Sequence, residues 1–141
     1  MAGYSGTPLI KKLGIKPADD VLLVNAPVNY FDLVATARGT IRTVTTKSGA
    51  ADFIHLFAVT TREFEKQLPA LKKRMKQDGM IWVSWYKKSA KKETDLTENI
   101  IRDFGLALGL VDVKVCAVDE EWSGLKFVIP VADREKKQNK K

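Results

Sequence analysis

Continuous apolar runs alternate with amphipathic segments along this chain of 141 residues. The runs Asp20–Asn25, Asp52–Val59 and Met80–Trp85 are apolar on both faces, which is typical of interior strands in a parallel sheet that helices cover. The β-branched segment Thr40–Thr46 predicts a further strand between the first two runs. The pattern therefore indicates a sheet with helices packed against it.

The segments between these strands carry apolar residues at helical spacing. Pro8 suits a first helical position and Gly14 a helix end, whereas Pro69 should kink or restart its helix because proline lacks a backbone donor. The sequence Asp95-Leu96-Thr97-Glu98 has the form of a capping box, and the buried stripe of its helix should be Leu96, Ile100, Phe104, Ala107 and Leu108. Helices are predicted over Thr7–Gly14, Asn29–Gly39, Arg62–Lys76 and Asp95–Gly109.

Two strands follow the last of these helices. In Val111–Val118 charged residues alternate with valines, as in a half-exposed edge strand. Leu125–Val131 is more apolar and suits an interior position. Asp119–Gly124 should form the loop between them, so the pair is predicted to be an antiparallel hairpin.

The order of the elements predicts a Rossmann-like α/β fold, a three-layer sandwich whose mostly parallel sheet ends in an antiparallel hairpin. One connection is short: only Lys47–Ala51 joins the second strand to the third, and parallel crossovers normally take about a dozen residues. Either this link lies extended across the sheet, which is the interpretation we favour, or strand 40–46 pairs antiparallel with 52–59. A single domain over residues 1–132 should contain every element.

Distinctive segments are spread over about residues 4–134. They are Tyr4–Leu9, Lys11–Ile15, Asn25–Pro27, Ile81–Trp85, Thr94–Asn99, Val111–Asp119 and Trp122–Ile129. Together they resemble a family of small bacterial proteins that has no established activity. The order of elements is similar to a shortened, degenerate class I S-adenosylmethionine methyltransferase that lacks one strand and its helices after strand two. The resemblance implies the fold and leaves the function open.

The turn after the first strand has no glycine. Nucleotide-binding α/β folds place glycines there so that the backbone can approach the ligand, whereas this chain has Asn25–Tyr30, in which Pro27 also removes a donor. Thr45, Thr46 and Lys47 stand near the end of the second strand, where a carboxylate would hold ribose hydroxyls. Both features predict that no cofactor binds. The alternative is an atypical methyltransferase that uses S-adenosylmethionine.

Four lysines, at positions 87, 88, 91 and 92, follow the third apolar run. Ligands of open sheets bind outside the carboxyl ends of the strands, so this segment predicts a site for phosphate or another anionic group of a small molecule, bound without catalysis. A solvated loop before an ordinary capped helix is the alternative, and packing over the sheet edge is the favoured role of Trp122. The residues predicted to bind the ligand are Asn25, Asn29, Tyr30, Lys87, Lys88, Thr94, Asp95 and Trp122.

The only histidine and the only cysteine are predicted to be structural. His55 lies in the middle of a strand, where a core histidine bonded to a neighbour is expected. Cys116 lies in an apolar run, where a thiol acts as a small hydrophobe. No pattern of catalytic residues or metal ligands stands out.

The chain has a formal net charge of +7. Residues 133–141 contain five Lys and Arg against two acids, which gives +3 and leaves +4 on the rest. This basic tail has no apolar residue to bury and is predicted to be disordered. The charge permits attraction to nucleic acid or to an acidic protein, so an interaction module is a further alternative. The lack of a long apolar stretch predicts a cytoplasmic protein without membrane contact.

Overall fold

A computed structural model describes residues 8–16, 18–33, 42–43 and 50–134 of the chain. Six strands in these ranges form one sheet: β1 (Asp20–Val24), β2 (Arg42–Thr43), β3 (Ala51–Phe57), β4 (Met75–Tyr86), β5 (Val111–Ala117) and β6 (Trp122–Val128). Their order across the sheet is β2-β1-β3-β4-β6-β5. The last strand in the chain therefore lies between β4 and β5.

The sheet is parallel from β2 to β4, and β6 pairs antiparallel with both β4 and β5. This arrangement confirms the predicted fold class. The strand β2 pairs with β1, with Asp20 opposite Arg42 and Val21 opposite Thr43. The alternative, in which strand 40–46 pairs antiparallel with 52–59, is therefore wrong at the described residues Arg42 and Thr43, whereas most of the link itself lies outside the described residues.

In the described ranges, four helices cover the two faces of the sheet: α1 (Leu9–Leu13), α2 (Tyr30–Leu33), α3 (Thr61–Lys72) and α4 (Glu98–Ala107). On one face, Leu13 of α1 and Tyr30 of α2 pack with aromatic residues of β3 and β4. On the other face, apolar residues of α3 and α4 form the larger core cluster. The predicted extension of α2 toward Gly39 lies outside the described residues.

The helix α3 ends earlier than predicted. It continues through Pro69 and stops at Lys72, so the prediction of a helix up to Lys76 is wrong. Met75 instead begins β4, where it lies opposite Ala51 in the parallel ladder. Met75 is buried against the same core cluster as the helix, which is why the hydrophobic pattern assigned it to the helical stripe.

The helix α4 begins later than predicted. Its N-cap is Thr97, whose hydroxyl accepts a hydrogen bond from the Ile100 amide at 3.2 Å. Asp95 does not cap α4, because its carboxylate accepts from the amide of Thr61, the first residue of α3, at 2.6 Å. Of the predicted stripe, Leu96, Ile100, Phe104 and Leu108 do pack in the larger core cluster, whereas Ala107 is exposed. The helix also buries Ile101 and Gly105, which the prediction did not include.

The hairpin is longer at its closed end than predicted. Trp122, Ser123 and Gly124 belong to β6 rather than to the loop. The turn is tight because a carboxylate oxygen of Asp119 accepts from the amides of Glu121 and Trp122, both at 2.8 Å. The predicted edge position of β5 and interior position of β6 are confirmed.

The only histidine is a core residue, as predicted. His55 is fully buried; its Nδ1 lies 3.0 Å from the Tyr30 hydroxyl and its Nε2 lies 2.7 Å from the Ser84 hydroxyl. Burial lowers the pKa of His55 to about 3, so the ring is neutral. Cys116 is half-buried, and burial raises the pKa of its thiol, which fits a structural role.

The C-terminal boundary is described only in part. Asp133 closes a short 3-10 turn over Val131–Asp133, and Arg134 Nε donates to the carbonyl of Ile129 at 2.9 Å. Residues 135–141 lie outside the described part, so the disordered tail stays a prediction. No helix in the described part is long and apolar enough to cross a membrane.

Candidate functional site

Two clefts formed by the described residues open at the carboxyl ends of β1, β3 and β4. The smaller one, which we call the aromatic cleft, has a volume of about 290 Å³ and is lined by Asn25, Phe57, Val59, Thr60, Glu63, Tyr86 and Trp122. The larger one, the lysine cleft, has a volume of about 770 Å³ and is lined by Trp85, Tyr86, Lys87, Lys88, Lys92, Thr94, Leu96, Thr97, Glu98, Asn99 and Ser123. Ligands of open α/β sheets bind at this edge.

Tyr86 lines both clefts. It lies directly opposite Trp122 in the β4–β6 ladder, and the two rings stack with centroids 4.2 Å apart and planes at 27°. Trp122 also meets the ring of Phe57 edge-on at 5.0 Å. Packing is therefore one role of Trp122, as favoured from the sequence, and the stacked pair places an aromatic surface beside the aromatic cleft.

The turn after β1 is made without glycine. Asn25 has a φ of 59°, in the left-handed region that glycine normally supplies at such a turn. Asparagine adopts this conformation more readily than most residues, and a hydrogen bond from the Tyr30 amide to the Pro27 carbonyl at 3.0 Å closes the next turn. Asn25 therefore lets the chain bend away from the sheet edge and leaves the aromatic cleft open.

The aromatic cleft has a polar side that the sequence analysis missed. The hydroxyl of Thr60 caps α3 by accepting from the Glu63 amide at 3.1 Å. The Glu63 carboxylate accepts from the Gln67 side chain at 2.8 Å. The pattern Thr60-Thr61-Arg62-Glu63 has the form of a capping box directly after a buried strand, and this signal could have identified both residues.

Two lysines of the lysine cleft carry uncompensated charge. Within the described part of the chain, neither Lys87 nor Lys88 forms an ion pair. Lys92 is different, because its ammonium lies 3.4 Å from the carboxylate of Glu121 and 5.7 Å from the centre of the Tyr86 ring. The cleft therefore presents net positive charge beside an aromatic wall.

Five of the eight predicted ligand-binding residues line a cleft. Asn25 and Trp122 line the aromatic cleft; Lys87, Lys88 and Thr94 line the lysine cleft. The other three, discussed next, line neither.

Tyr30, Asn29 and Asp95 lie outside both clefts. Tyr30 is buried with its hydroxyl on His55, and burial raises its pKa, so it belongs to the core. Asn29 is exposed beside the turn and is not among the residues lining either cleft. Asp95 is engaged with the Thr61 amide at the start of α3. The carboxylate of Asp95, which was predicted to bind a ligand, thus accepts a hydrogen bond within the fold.

No protein-family model matches this chain, and no curated protein matches it in sequence. Solved structures match its fold. The magnesium protoporphyrin IX methyltransferase of Synechocystis PCC 6803 with bound S-adenosylmethionine matches with a TM-score of 0.58 at 15% identity, over 85% of this chain and 74% of that chain. The precorrin-6y C5,15-methyltransferase of Geobacter metallireducens gives 0.58 at 9% identity, over 84% of each chain. Aeropyrum pernix fibrillarin in complex with S-adenosylmethionine gives 0.53 at 12% identity, over 86% and 72%.

This chain has a methyltransferase-like fold. The comparison corrects the prediction that no cofactor binds. Structures that share the fold contain S-adenosylmethionine or S-adenosylhomocysteine, so a missing glycine after β1 is not sufficient reason to exclude such a cofactor. The physical reason is local: Asn25 makes the left-handed turn for which a glycine was expected.

Proposed function

We propose that this chain is an atypical methyltransferase that binds S-adenosylmethionine in the aromatic cleft. The observation that carries the proposal is the position of this cleft, at the carboxyl ends of β1 and β3 in a methyltransferase-like fold. Open α/β sheets bind their ligands at the topological switch point, where the strand order reverses. Here that point lies between β1 and β3, because β2 is on the other side of β1.

The residues of the aromatic cleft fit the chemistry of this cofactor. The rings of Phe57, Tyr86 and Trp122 offer flat apolar surfaces to an adenine base. The carboxylate of Glu63 and the amide of Asn25 offer polar partners to the positively charged methionine part. The volume of about 290 Å³ lies just below the range for small-molecule sites, which begins at about 300 Å³.

The cofactor, when bound, supplies a methyl group to an acceptor. The chain's own contribution would be to hold the acceptor beside it, because a bound and oriented acceptor reacts far faster than one in solution. The lysine cleft adjoins the aromatic cleft at Tyr86 and is the larger of the two. We therefore assign the acceptor to the lysine cleft.

Glu63→Gln should weaken the binding of S-adenosylmethionine about tenfold, because loss of one charge-assisted contact is worth about 1.4 kcal/mol. Isothermal titration calorimetry with S-adenosylmethionine and S-adenosylhomocysteine measures this. Glu65→Gln is the matched control, since Glu65 is an exposed residue of the same helix that does not line the cleft, and it should bind like the parent. The absence of saturable heat with either compound would contradict the proposed function. Equal affinity of the two variants would contradict the placement in the aromatic cleft.

The lysine cleft favours an anionic group on its ligand. Lys87 and Lys88 have no ion pair within the described residues, and the hydroxyls of Thr97 and Ser123 line the same space. A small molecule that carries phosphate or carboxylate would gain charge-assisted hydrogen bonds there. This supports the anionic ligand predicted from the lysine segment, whether it is the methyl acceptor or a ligand bound without reaction.

A thermal-shift titration with inorganic phosphate and nucleoside monophosphates tests the anionic ligand. A ligand at about a hundredfold excess over its Kd stabilises the fold by about 2.7 kcal/mol, a shift of several degrees. The variant Lys87→Ala/Lys88→Ala should lose this shift. The control Lys66→Ala/Lys73→Ala removes one exposed lysine from the middle of α3 and one from its C-cap, neither of which lines the lysine cleft, and it should retain the shift. A shift that is the same in both variants would contradict the assignment.

A further inference from the structure

A second group of lysines lies on the face of the sheet that α1 covers. We call Lys12, Lys16, Lys114 and Lys126 the sheet-face lysines. Lys114 of β5 lies directly opposite Lys126 of β6 in the antiparallel ladder, and the Lys114 ammonium donates to the carbonyl of Lys12 at 3.3 Å. Burial, and then the charges of Lys114 and Lys16, lowers the pKa of Lys126. Residues from α1, the turn after it and two strands thus form one positive patch.

Within the patch, Lys114 and Lys126 are the two lysines whose charge no acid of the described residues compensates. In the described ranges, neither Lys114 nor Lys126 forms an ion pair. Lys16 also faces Asp52, but that carboxylate already pairs with Lys76 at 3.1 Å. Like charges directly opposite each other in an antiparallel pair destabilise a sheet. The fold therefore retains an unfavourable arrangement that a bound polyanion would relieve.

The patch is separate from both clefts. Lys126 lies four residues after Trp122 along β6, which corresponds to roughly 14 Å of strand. None of the sheet-face lysines lines the aromatic cleft or the lysine cleft. A ligand of the patch therefore contacts other residues than those assigned to cofactor and acceptor.

We propose that the sheet-face lysines bind the phosphodiester backbone of a nucleic acid. Lysine ammonium groups are compact charges that neutralise phosphates without reading base edges. Contacts to phosphate carry no direct sequence information, so the binding is expected to be independent of sequence. The proposal stands apart from the methyltransferase assignment, since neither cleft contributes to the patch.

Fluorescence anisotropy with a labelled single-stranded RNA of about 20 nucleotides tests this proposal. The variant Lys114→Gln/Lys126→Gln should raise Kd about tenfold at low salt. The slope of log K against log salt should become shallower by about 1.4, because each lost phosphate contact on a single strand contributes about 0.7. The control Lys66→Gln/Lys73→Gln removes the same charge from α3 and its end and should change Kd by less than about twofold. Both variants keep residues 135–141, so the basic tail contributes equally.

Three binding results and one stability result would overturn the proposal. The first is no RNA binding by the parent chain at low salt, and the second is an equal loss of affinity in the two double variants, which would indicate net charge alone. The third is equally tight, equally lysine-dependent binding of poly-glutamate, which would assign the patch to an acidic protein segment. The melting temperature of Lys114→Gln/Lys126→Gln should equal or exceed that of the parent, because the replaced charges repel each other. A lower melting temperature would contradict the uncompensated repulsion from which the site is inferred.

Discussion

The free energy of unfolding is expected to fall steeply as the pH drops below about 6.5, because His55 binds a proton in the unfolded chain but not in the folded chain. The pKa of His55 is about 3 in the folded state, against 6.5 for an ordinary histidine. Between these values the unfolded state binds more protons, so stability is fully present above pH 6.5 and is lost as the pH falls toward 3. The slope is about 1.4 kcal/mol for each pH unit from this one group.

The loss of stability just below pH 6.5 can be assigned to His55 because the chain has a single histidine. Protonation of carboxylates lowers the free energy of unfolding only at lower pH. Burial by itself would raise the pKa of Asp52, but hydrogen bonds from the Asp20 amide and from Lys76 lower this pKa overall. The hydrogen bond from Arg102 lowers the pKa of Asp112. Urea unfolding between about pH 6.5 and pH 5 therefore isolates the histidine.

The variant His55→Gln provides the control. Glutamine does not titrate, so its unfolding free energy should be flat between about pH 6.5 and pH 5. At neutral pH the variant should be less stable than the parent by about 1–3 kcal/mol, because the Tyr30 and Ser84 hydroxyls lose well-placed partners. A parent chain with the same flat profile would show that the folded state accepts the proton.

Gly105→Ala is expected to destabilise the fold strongly, although alanine is the better helix former by about 1 kcal/mol. Gly105 is buried in α4 where the helix crosses β6. A Cβ atom there would lie 2.2 Å from two ring carbons of Phe127, a side chain that is itself fully buried. Either the ring or the helix must move, and overpacking of this kind costs about 1–3 kcal/mol, sometimes more. Chemical denaturation of the two proteins measures the difference.

A second substitution distinguishes this clash from a general effect on the helix. In Gly105→Ala/Phe127→Leu the smaller side chain leaves room for the new methyl group, so the double variant should be more stable than the sum of the single changes predicts. Gly109→Ala is not a suitable control, because Gly109 has a φ of 89° and would be strained by any side chain. Strict additivity of the two changes would contradict a contact between residues 105 and 127.

The strands were predictable because each interior strand must be apolar on both faces. The runs that became β1, β3 and the second half of β4 carry this signal, and the direction of the hairpin followed from its short loop. The boundaries were less predictable. Met75 is buried whether it belongs to α3 or to β4, so its hydrophobicity could not decide between them. The pairing with Ala51, which did decide, is a contact between residues distant in sequence.

The candidate site was predictable in position and only partly in composition. Residues that follow strands were correctly expected at one edge of the sheet, and Lys87, Lys88 and Thr94 do line one cleft there. What failed was the inference from residue type to role. Asp95 and Tyr30 carry polar groups, but the fold uses those groups itself, one at the start of α3 and one on His55. A sequence shows that a polar atom is present but not which neighbour takes it.

Tyr86 forms part of the wall of both the aromatic cleft and the lysine cleft. Any ligand that turns or tightens this ring from one side also reshapes the wall that a second ligand meets from the other. Thermodynamic linkage then requires the effect to be mutual, so that the first occupant alters the affinity for the second by the same factor as the second alters the affinity for the first. The order in which the two ligands are added would leave that factor unchanged, and Trp122 would take part in the coupling because its indole stacks on the Tyr86 ring.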